Sequence, residues 1–304
     1  MAKLRTPNCV VGIGEFLWDL LSTGKQLGGA PANFAYHARV LGAESLVVSA
    51  VGDDPLGKEL IGQLQRIGLS DDFIAVDPKR PTGTVTVQLD AKGVPDFTIH
   101  EGVAWDAILF SPGLEGVAQR ADSVCFGTLA QRSETSRHTI QTFVQSTRPD
   151  CLRMFDVNLR QHYFSRPIIE ESLAHADVLK LNDQELPVLA RLLSITGSET
   201  EILKALLKTY ELELIALTQG DRGSRLIGFN DDSFLKTPVV QVIDTVGAGD
   251  AFTAALAMGL LQNLPIKTIH ENATRLAAFV CTQKGATPEL PKGKVAELIR
   301  SEKP

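Results

Sequence analysis

One short stretch, residues 244–252, limits the folds open to this chain more than any other; it reads Asp-Thr-Val-Gly-Ala-Gly-Asp-Ala-Phe. Residues 238–243, just before it, alternate apolar and polar side chains, a pattern that predicts a short strand. Residues 251–261, just after it, are small and apolar almost throughout, which predicts a buried helix. The two glycines therefore lie on a predicted strand-to-helix turn, a place where α/β proteins bind anions.

The chemistry of this turn comes from its backbone and from one carboxylate. We expect the amides of Gly247, Ala248 and Gly249 to point outward and to form an anion hole with the helix dipole. Asp250 follows on the first helical turn, where a carboxylate would repel a phosphate unless it has a chemical task. Its natural task is to take a proton from an incoming hydroxyl while the amides hold the phosphoryl group. A plain glycine turn, whose aspartate satisfies the helix dipole, fits these residues equally well.

A second glycine motif lies near the N-terminus. Residues 28–35 read Gly-Gly-Ala-Pro-Ala-Asn-Phe-Ala and open a helix predicted for residues 32–41. Gly28 and Gly29 allow the backbone to approach a ligand closely. Asn33, on the first helical turn, has an amide that can both donate to and accept from a polyol. A surface asparagine near a helix start fits the local pattern as well.

The two motifs lie more than 200 residues apart. Together with Leu-Gly-Ala at 41–43 and Val-Gly-Asp-Asp-Pro-Leu-Gly at 51–57, they resemble the signatures of the ribokinase-like (PfkB) carbohydrate kinases, in the fructokinase-like form. The resemblance covers essentially the whole chain. It implies a single ribokinase-like α/β domain over residues 1–304, with a mainly parallel central sheet and helices on both faces. It also implies a small β lid over the sugar, built from discontinuous segments at about 16–27 and 82–104.

The hydrophobic pattern from residue 121 onward agrees with this fold, because short strands alternate with helices. These strands are predicted at 123–126, 153–157, 178–181 and 214–217. In a parallel sheet of this kind, ligands bind at the carboxyl ends of the strands. Nearer the N-terminus, residues 82–88 and 96–100 alternate around a turn at 92–93 and predict a hairpin for the lid.

The resemblance assigns roles to residues that are ambiguous on their own. Asp19 lies among leucines and a tryptophan, where the local pattern favours a solvated charge at a strand edge. Its position in the family instead implies that it binds a sugar hydroxyl, together with Gly28, Gly29 and Asn33. The motif Asp-Val-Asn-Leu-Arg ends at Arg160, which is either a surface ion-pair residue or a cation that reaches the transferring phosphate, as the fructokinase-like pattern implies.

The resemblance also implies sites for magnesium-ATP and for a monovalent cation. The implied nucleotide and magnesium residues are Asn182, Glu185, Thr218, Gly220, Gly223 and Thr274. On their own, the first two fit a helix-capping pattern, and the next three fit a glycine turn between strands. The implied cation loop, which would hold K⁺ mainly through carbonyl oxygens, comprises Asp244, Val246, Val280, Gln283 and Gly285.

Composition disfavours several other classes of function. The net charge of −6 argues against a surface for nucleic acid or anionic membranes, and no apolar stretch approaches a membrane span. The four cysteines have no paired spacing and indicate reduced thiols of a cytoplasmic protein. The third glycine of a dinucleotide-binding motif is missing after the first strand, which disfavours a dehydrogenase.

The leading interpretation is an ATP-dependent sugar kinase that converts D-fructose to fructose 6-phosphate. Ala30 and Pro31 replace the lysine-containing glycine motif of ribose kinases, and no basic residue stands there to pair with a substrate carboxylate. The open alternatives are a kinase for ribose, adenosine or 2-keto-3-deoxygluconate, and a catalytically silent binding homologue. Dimers through the lid occur in the family, so a homodimer is compatible with the resemblance.

Overall fold

The computed structural model describes residues 7–21, 24–89, 95–291 and 293–299. The strands are β1 (Cys9–Ile13), β2 (Leu17–Leu21), β3 (Gly24–Gly28), β4 (Glu44–Gly52), β5 (Ile74–Asp77), β6 (Gly83–Leu89), β7 (Pro95–Ile99), β8 (Ser123–Phe126), β9 (Leu152–Asp156), β10 (Val178–Asn182), β11 (Leu214–Thr218), β12 (Ser224–Gly228) and β13 (Asp232–Leu235). The helices are α1 (Ala30–Val40), α2 (Pro55–Arg66), α3 (Pro112–Arg120), α4 (Glu134–Gln145), α5 (Arg166–Ala174), α6 (Glu185–Leu192), α7 (Glu199–Thr209), α8 (Ala248–Leu261), α9 (Ile266–Cys281) and α10 (Lys294–Leu298).

A nine-stranded sheet forms the centre, in the order β13-β12-β11-β10-β9-β8-β1-β4-β5. Every pairing from β11 to β5 is parallel, and β12 and β13 are added antiparallel at one edge. The predicted mainly parallel α/β sheet is therefore confirmed. The chain extends the sheet from β1 toward β4 on one side and returns to β8 on the other, so the topological switch point lies at β1, where such sheets bind ligands.

Alternate residues of strands β8 and β9 pack into different cores on the two faces of the central sheet. Phe126 and Phe155 stack with ring centroids 5.4 Å apart and belong to the core that contains the apolar side chains of α3 to α7. Their neighbours Cys125 and Met154 point to the opposite face, where they join the apolar residues of α1, α8 and α9. Period-two alternation thus distributes the helices over both faces of the sheet, as expected for strands buried on both sides.

A second sheet has four strands in the order β3-β2-β6-β7. Strand β2 pairs antiparallel with β3 and parallel with β6, with Leu17 opposite Gly83, so the sheet joins two distant segments. The predicted hairpin is present as the antiparallel pair β6 and β7. Its predicted turn at 92–93 lies outside the described residues.

The predicted strand at 238–243 is wrong. This segment has no regular secondary structure, and Val239, Val242 and Ile243 are exposed. Strand β13 already ends the sheet, so the alternating side chains that follow have no partner strand and no face to bury. The segment instead crosses from the sheet edge toward the end of α9, where the Ile243 amide donates to the Cys281 carbonyl at 2.8 Å.

The helix predicted from residues 251–261 is confirmed as α8, which begins three residues earlier than the apolar run. Every residue from Ala251 to Gly259 is buried, because the helix packs between α1 and α9. Gly259 allows the α9 contact to be close, since a Cβ there would stand 2.8 Å from Ile269 Cγ1. The first turn of α8 is thereby held at the carboxyl edge of the sheet.

Candidate active site

A narrow cleft lies at the switch point, beside the carboxyl ends of β1, β8 and β9 and the first turns of α1 and α8. Its lining comes from segments that are far apart in sequence and includes Glu15, Ala30, Gly127, Asp156, Asn158 and Asp250. Both glycine motifs therefore reach one cleft. The sequence-predicted residues can be placed relative to it one group at a time.

The turn that opens α8 depends on glycine at position 247. Gly247 has a φ of 78°, a left-handed conformation that other residues rarely adopt. A Cβ at this position would also stand 2.6 Å from the Cα of Ala286. The Ala248 amide donates to the Thr245 carbonyl over a long 3.3 Å contact, so one of the three predicted anion-hole amides is engaged within the turn itself.

Asp250 lies on the first turn of α8, as predicted, and contacts the other motif directly. Asn33 Nδ2 donates to Asp250 Oδ2 at 2.8 Å, a hydrogen bond between residues 217 positions apart. Asn33 is buried, and its Oδ1 has no hydrogen-bond partner among the residues that the structure describes. Since buried polar atoms are rarely left unsatisfied, Oδ1 is placed to accept a hydrogen bond from a ligand.

The electrostatic surroundings of Asp250 shift its proton affinity. Burial is the main cause that raises the pKa of the Asp250 carboxyl to about 6, and the nearby Asp156 carboxylate adds to the rise. The hydrogen bond from Asn33 and the positive charges of Lys180 and Arg160 act in the opposite direction. A carboxyl with this pKa is mostly ionised at neutral pH and still basic enough to accept a proton in a transition state.

Asp19 lies on β2, and its carboxylate packs against the end of β3. A Cβ on Gly28 would come within 2.5 Å of Asp19 Oδ2, and a Cβ on Gly29, whose φ is 113°, would clash with the carbonyl oxygen of Glu15. The two glycines thus let β3 and the start of α1 approach these groups. Burial raises the pKa of Asp19 to about 6, and the positive charge of Arg160 opposes the rise.

Arg160 follows β9 and is exposed, with Nη1 donating to the carbonyl of the preceding residue at 3.1 Å. It forms no ion pair within the described part of the chain. Its positive charge nevertheless lowers the pKa values of three carboxyls, those of Glu15, Asp19 and Asp250. Arg160 is therefore an exposed cation whose charge acts on all three carboxyls.

Sequence reasoning missed two charged groups here. Glu15 is buried after β1, its Oε1 accepts from the Ala30 amide at 3.3 Å, and burial raises its pKa to about 7. Lys180 is buried in the middle of β10, where Nζ donates to Asp156 Oδ1 at 3.0 Å. The available signal was a charged residue within or directly after an apolar strand, because such residues are seldom buried without a partner.

Asn182 and Glu185 form a reciprocal cap at the carboxyl end of β10. Asn182 Oδ1 accepts from the amides of Gln184 and Glu185, both at 2.9 Å. In return, Glu185 Oε2 accepts from the Asn182 amide at 2.8 Å, and its Oε1 accepts from the Leu159 amide at 2.9 Å. The capping interpretation is confirmed, and a role toward magnesium or phosphates stays a prediction.

The predicted nucleotide residues farther along the edge lie on β11, on the turn after it and on α9. Thr218 ends β11, and Gly220 and Gly223 form the turn to β12 with φ values of 60° and 139°. Thr274 is buried on α9, with Oγ1 3.4 Å from Ser224 Oγ. The glycine turn between two strands is confirmed, and nucleotide binding by these residues stays a prediction.

The Asp244 carboxylate connects two segments of the predicted cation loop. Asp244 Oδ1 accepts from the Val246 amide and Oδ2 from the Gly285 amide, each at 3.0 Å. The Val280 carbonyl accepts from the Gln283 amide at 2.9 Å, which uses one of its lone pairs. Asp244 thus connects its own segment to Gly285, and the binding of K⁺ by these residues stays a prediction.

Within the described ranges, no three His, Cys, Asp or Glu side chains are grouped so that they could hold a metal ion. All four cysteines are unpaired thiols, three of them buried. None of the described helices is long and apolar enough to cross a bilayer.

Comparison with known proteins agrees with this geometry. The profile of the pfkB family carbohydrate kinases matches residues 19–293. An uncharacterized sugar kinase of Pyrococcus horikoshii is 32% identical over 95% of this chain and 97% of that protein. A fructokinase of Salmonella typhimurium is 32% identical over 92% of this chain and 95% of that protein.

The structure of the Pyrococcus horikoshii protein in complex with ATP superimposes with a TM-score of 0.80 and 30% identity, over 96% of this chain and 99% of that one. The fold is therefore the ribokinase-like α/β fold that the two motifs predicted. Since the family profile includes both motifs and most of both sheets, this chain belongs to the pfkB family of carbohydrate kinases.

Proposed function

We propose that this chain transfers the γ-phosphoryl group of ATP to the hydroxymethyl group of D-fructose, giving fructose 6-phosphate. Family membership already makes it a sugar kinase. The choice of fructose rests on similar proteins described as fructokinases, at 30% and 32% identity, and on this chain's own residues. Ala30 and Pro31 put no cation beside the sugar, which suits a neutral polyol better than a sugar acid.

The hydrogen bond between Asn33 and Asp250 carries the proposal. It joins the proposed sugar-binding motif to the anion-hole motif, with Asn33 Nδ2 2.8 Å from Asp250 Oδ2. The unsatisfied Asn33 Oδ1 can accept from a sugar hydroxyl, and Asp250 lies beside that hydroxyl's expected position. A polar pocket of this kind rejects a wrong sugar by leaving buried groups unpaired.

In the proposed reaction, Asp250 takes the proton of the sugar hydroxymethyl as the hydroxymethyl oxygen attacks the γ-phosphorus of ATP. The bond between that phosphorus and the β–γ bridging oxygen breaks, and ADP leaves. The amides of Gly247, Ala248 and Gly249 stabilise the charge that develops on the transferring group, because helix N-termini favour anions, and the Ala248 amide gives up its long contact with the Thr245 carbonyl to do so. We propose that Arg160, which is exposed, also stabilises the negative charge on the transferring phosphoryl group. The sugar itself is held by Asp19, Gly28, Gly29 and Asn33.

We assign the nucleotide to the far end of the same edge, along Asn182, Glu185, Thr218, Gly220, Gly223 and Thr274. Magnesium, when bound with ATP, neutralises phosphate charge and is held mainly by phosphate and water oxygens, needing only one or two carboxylates from the protein. Glu185 is suited to bind magnesium. Each of its two carboxylate oxygens accepts one backbone hydrogen bond, which leaves a lone pair on each oxygen for a metal ion. The small sheet is proposed to act as a lid that excludes water during transfer.

The test of this function is ADP release at matched concentrations of D-fructose, ribose, adenosine and 2-keto-3-deoxygluconate. We expect D-fructose to give the highest kcat/KM, with the phosphate on the 6-hydroxyl when the product is analysed by ³¹P NMR. A higher kcat/KM for ribose or the sugar acid would remove the fructose assignment and leave the sugar kinase standing. ADP release that no sugar accelerates would favour a silent homologue.

Replacing Asp19 by Ala is expected to raise the KM for the sugar far more than the KM for ATP. A buried carboxylate that accepts a hydroxyl hydrogen bond contributes about 1.5–3 kcal/mol, which corresponds to a loss of roughly 10- to 100-fold. Steady-state kinetics with each substrate varied in turn measures both constants. The matched control is Asp150→Ala, whose exposed carboxylate pairs with Arg148 just before the amino end of β9, opposite the strand end that faces the cleft. Equal changes in the two KM values would make Asp19 structural.

The pH profile of kcat/KM is expected to fall on the acid side of about pH 6. The pKa of the Asp250 carboxyl is raised to about 6, and only its ionised form can accept the hydroxyl proton. Activity should therefore be constant above this pH and decline by roughly tenfold per pH unit below it. Asp19 has a similar pKa, and Glu15, which also lines the cleft, has a pKa of about 7. An unchanged acid limb in both Asp19→Asn and Glu15→Gln identifies the group as Asp250, and its loss in either variant would assign it to the residue replaced.

A further inference from the structure

A buried ionic network lies directly beneath the first turn of α8. Asp156, at the end of β9, and Lys180, in the middle of the adjacent strand β10, form an ion pair of 3.0 Å with both side chains almost fully buried. Thr253 Oγ1 lies 3.0 Å from Asp156 Oδ2 and also 3.0 Å from the Gly249 carbonyl oxygen. The network thus connects two strands of the sheet to the turn that carries Asp250.

The cation of this network touches the backbone of that turn. A Cβ on Gly249 would stand 3.0 Å from Lys180 Nζ, so a larger residue there would make the ammonium move by a few tenths of an ångström. Burial works against the charge of Lys180, but the carboxylates of Asp156, Glu185 and Asp250 overcome it, and the pKa of Lys180 is raised. A permanent positive charge is therefore held under the proposed anion hole.

We propose that the Asp156–Lys180 pair is a positioning device for Asp250, which holds the first turn of α8 on the sheet and sets the charge balance around the Asp250 carboxylate. This inference rests on the proposed role of Asp250 as the general base. It gives the pair two separable tasks. Thr253 connects the pair to the first turn of α8, because its hydroxyl lies within hydrogen-bond distance of Asp156 and of the Gly249 carbonyl. The two charges act in opposite directions on the Asp250 carboxylate.

The opposite effects follow from the groups that face Asp250 on every side. Asp156 on β9 raises its pKa, whereas Lys180 on β10 lowers it. Arg160, after β9, and the hydrogen bond from Asn33 on α1 also lower it. Within the described part of the chain, the Glu15 carboxyl after β1 and the Cys125 thiol on β8 also interact with Asp250. Removing one member of the pair should therefore move the titration of Asp250 in a direction set by the charge removed.

The experiment follows the Asp250 carboxyl directly by ¹³C NMR of protein labelled at the aspartate carboxyl carbon, assigned with Asp250→Asn. We expect Asp156→Asn to lower the titration midpoint by roughly one pH unit and Lys180→Met to raise it by a similar amount. The acid limb of kcat/KM should move with each midpoint. Thr253→Val keeps both charges, so it should lower kcat and leave the midpoint unchanged.

Lys180→Met leaves a buried carboxylate unpaired and can prevent folding, so the double variant Asp156→Asn/Lys180→Met gives a second measurement. Its midpoint should lie above that of Asp156→Asn alone. The matched control is Arg153→Met, which breaks the 3.5 Å pair with Asp177 at the opposite ends of the same strands and should leave the Asp250 midpoint in place.

Midpoints that do not move, or that move in the same direction for both charges, would overturn the inference. So would a Lys180→Met enzyme with an unchanged midpoint and a raised KM for ATP alone, because Lys180 would then be a nucleotide ligand. If the midpoints move as expected while the acid limb of kcat/KM stays fixed, the electrostatic role of the pair stands and Asp250 is not the base.

Discussion

Asp250→Asn should abolish turnover and leave ATP binding nearly unchanged. The amide keeps the size of the carboxylate and can keep a hydrogen bond with Asn33, but it cannot take the hydroxyl proton. Loss of a general base typically costs about 10²- to 10⁴-fold in rate, and more if the same group also orients the hydroxyl. Steady-state kinetics measures the loss, and isothermal titration calorimetry measures ATP affinity.

The control for this variant is Asp150→Asn, an exposed carboxylate that pairs with Arg148 far from the cleft. Its activity should equal that of the wild type. An Asp250→Asn enzyme that keeps more than about a tenth of wild-type kcat would remove Asp250 from the role of base, given the size of such effects. A variant that loses ATP affinity to the same extent would point instead to a disturbed fold.

Gly247→Ala should produce the second large loss, in kcat more than in stability. The left-handed φ of 78° costs a non-glycine residue about 1–2 kcal/mol. The added methyl would also stand 2.6 Å from Ala286 Cα, a backbone atom that cannot yield as a flexible side chain would. The turn must shift, and displacing even one anion-hole donor costs about 10²- to 10³-fold in kcat.

Gly116→Ala is the matched control for this substitution. Gly116 lies within α3, and nothing stands within 4 Å of the position that its Cβ would take. Alanine should therefore leave kcat unchanged and raise the melting temperature slightly, since it favours the helix by about 0.4–1 kcal/mol. Wild-type kcat in Gly247→Ala, with a lowered melting temperature, would show that the turn is needed for folding alone and not for catalysis.

Local pattern accounts for most of the fold. Short apolar strands alternating with amphipathic helices predicted the parallel sheet, because only a crossover connection can join parallel neighbours. The strand predicted at 238–243 failed for a non-local reason, since alternation makes a strand only where a partner strand is present. Helix α8 begins at Ala248, three residues before the predicted helix, directly after the left-handed Gly247.

The charged groups of the cleft were harder to predict. Asp250 and Asn33 each belong to a motif with a characteristic spacing, so each could be identified separately. Lys180 and Glu15 belong to no such motif, and a single charge within an apolar run carries little information until its surroundings are known. Their roles depend on the Asp156 carboxylate and the α1 amide that the fold places beside them.

The sequence by itself determined the family, the alternation of strands and helices, the two glycine turns and the carboxylate on the first turn of α8. Each of these features depends on residues that are close together in sequence, through the backbone conformations they allow and the spacing of their apolar side chains. Only the tertiary structure decided that Asn33 donates to Asp250, and that an ion pair lies beneath the turn of α8. Proton affinity and hydrogen bonding depend on distances of a few ångströms and on burial, and both are properties of the packed chain.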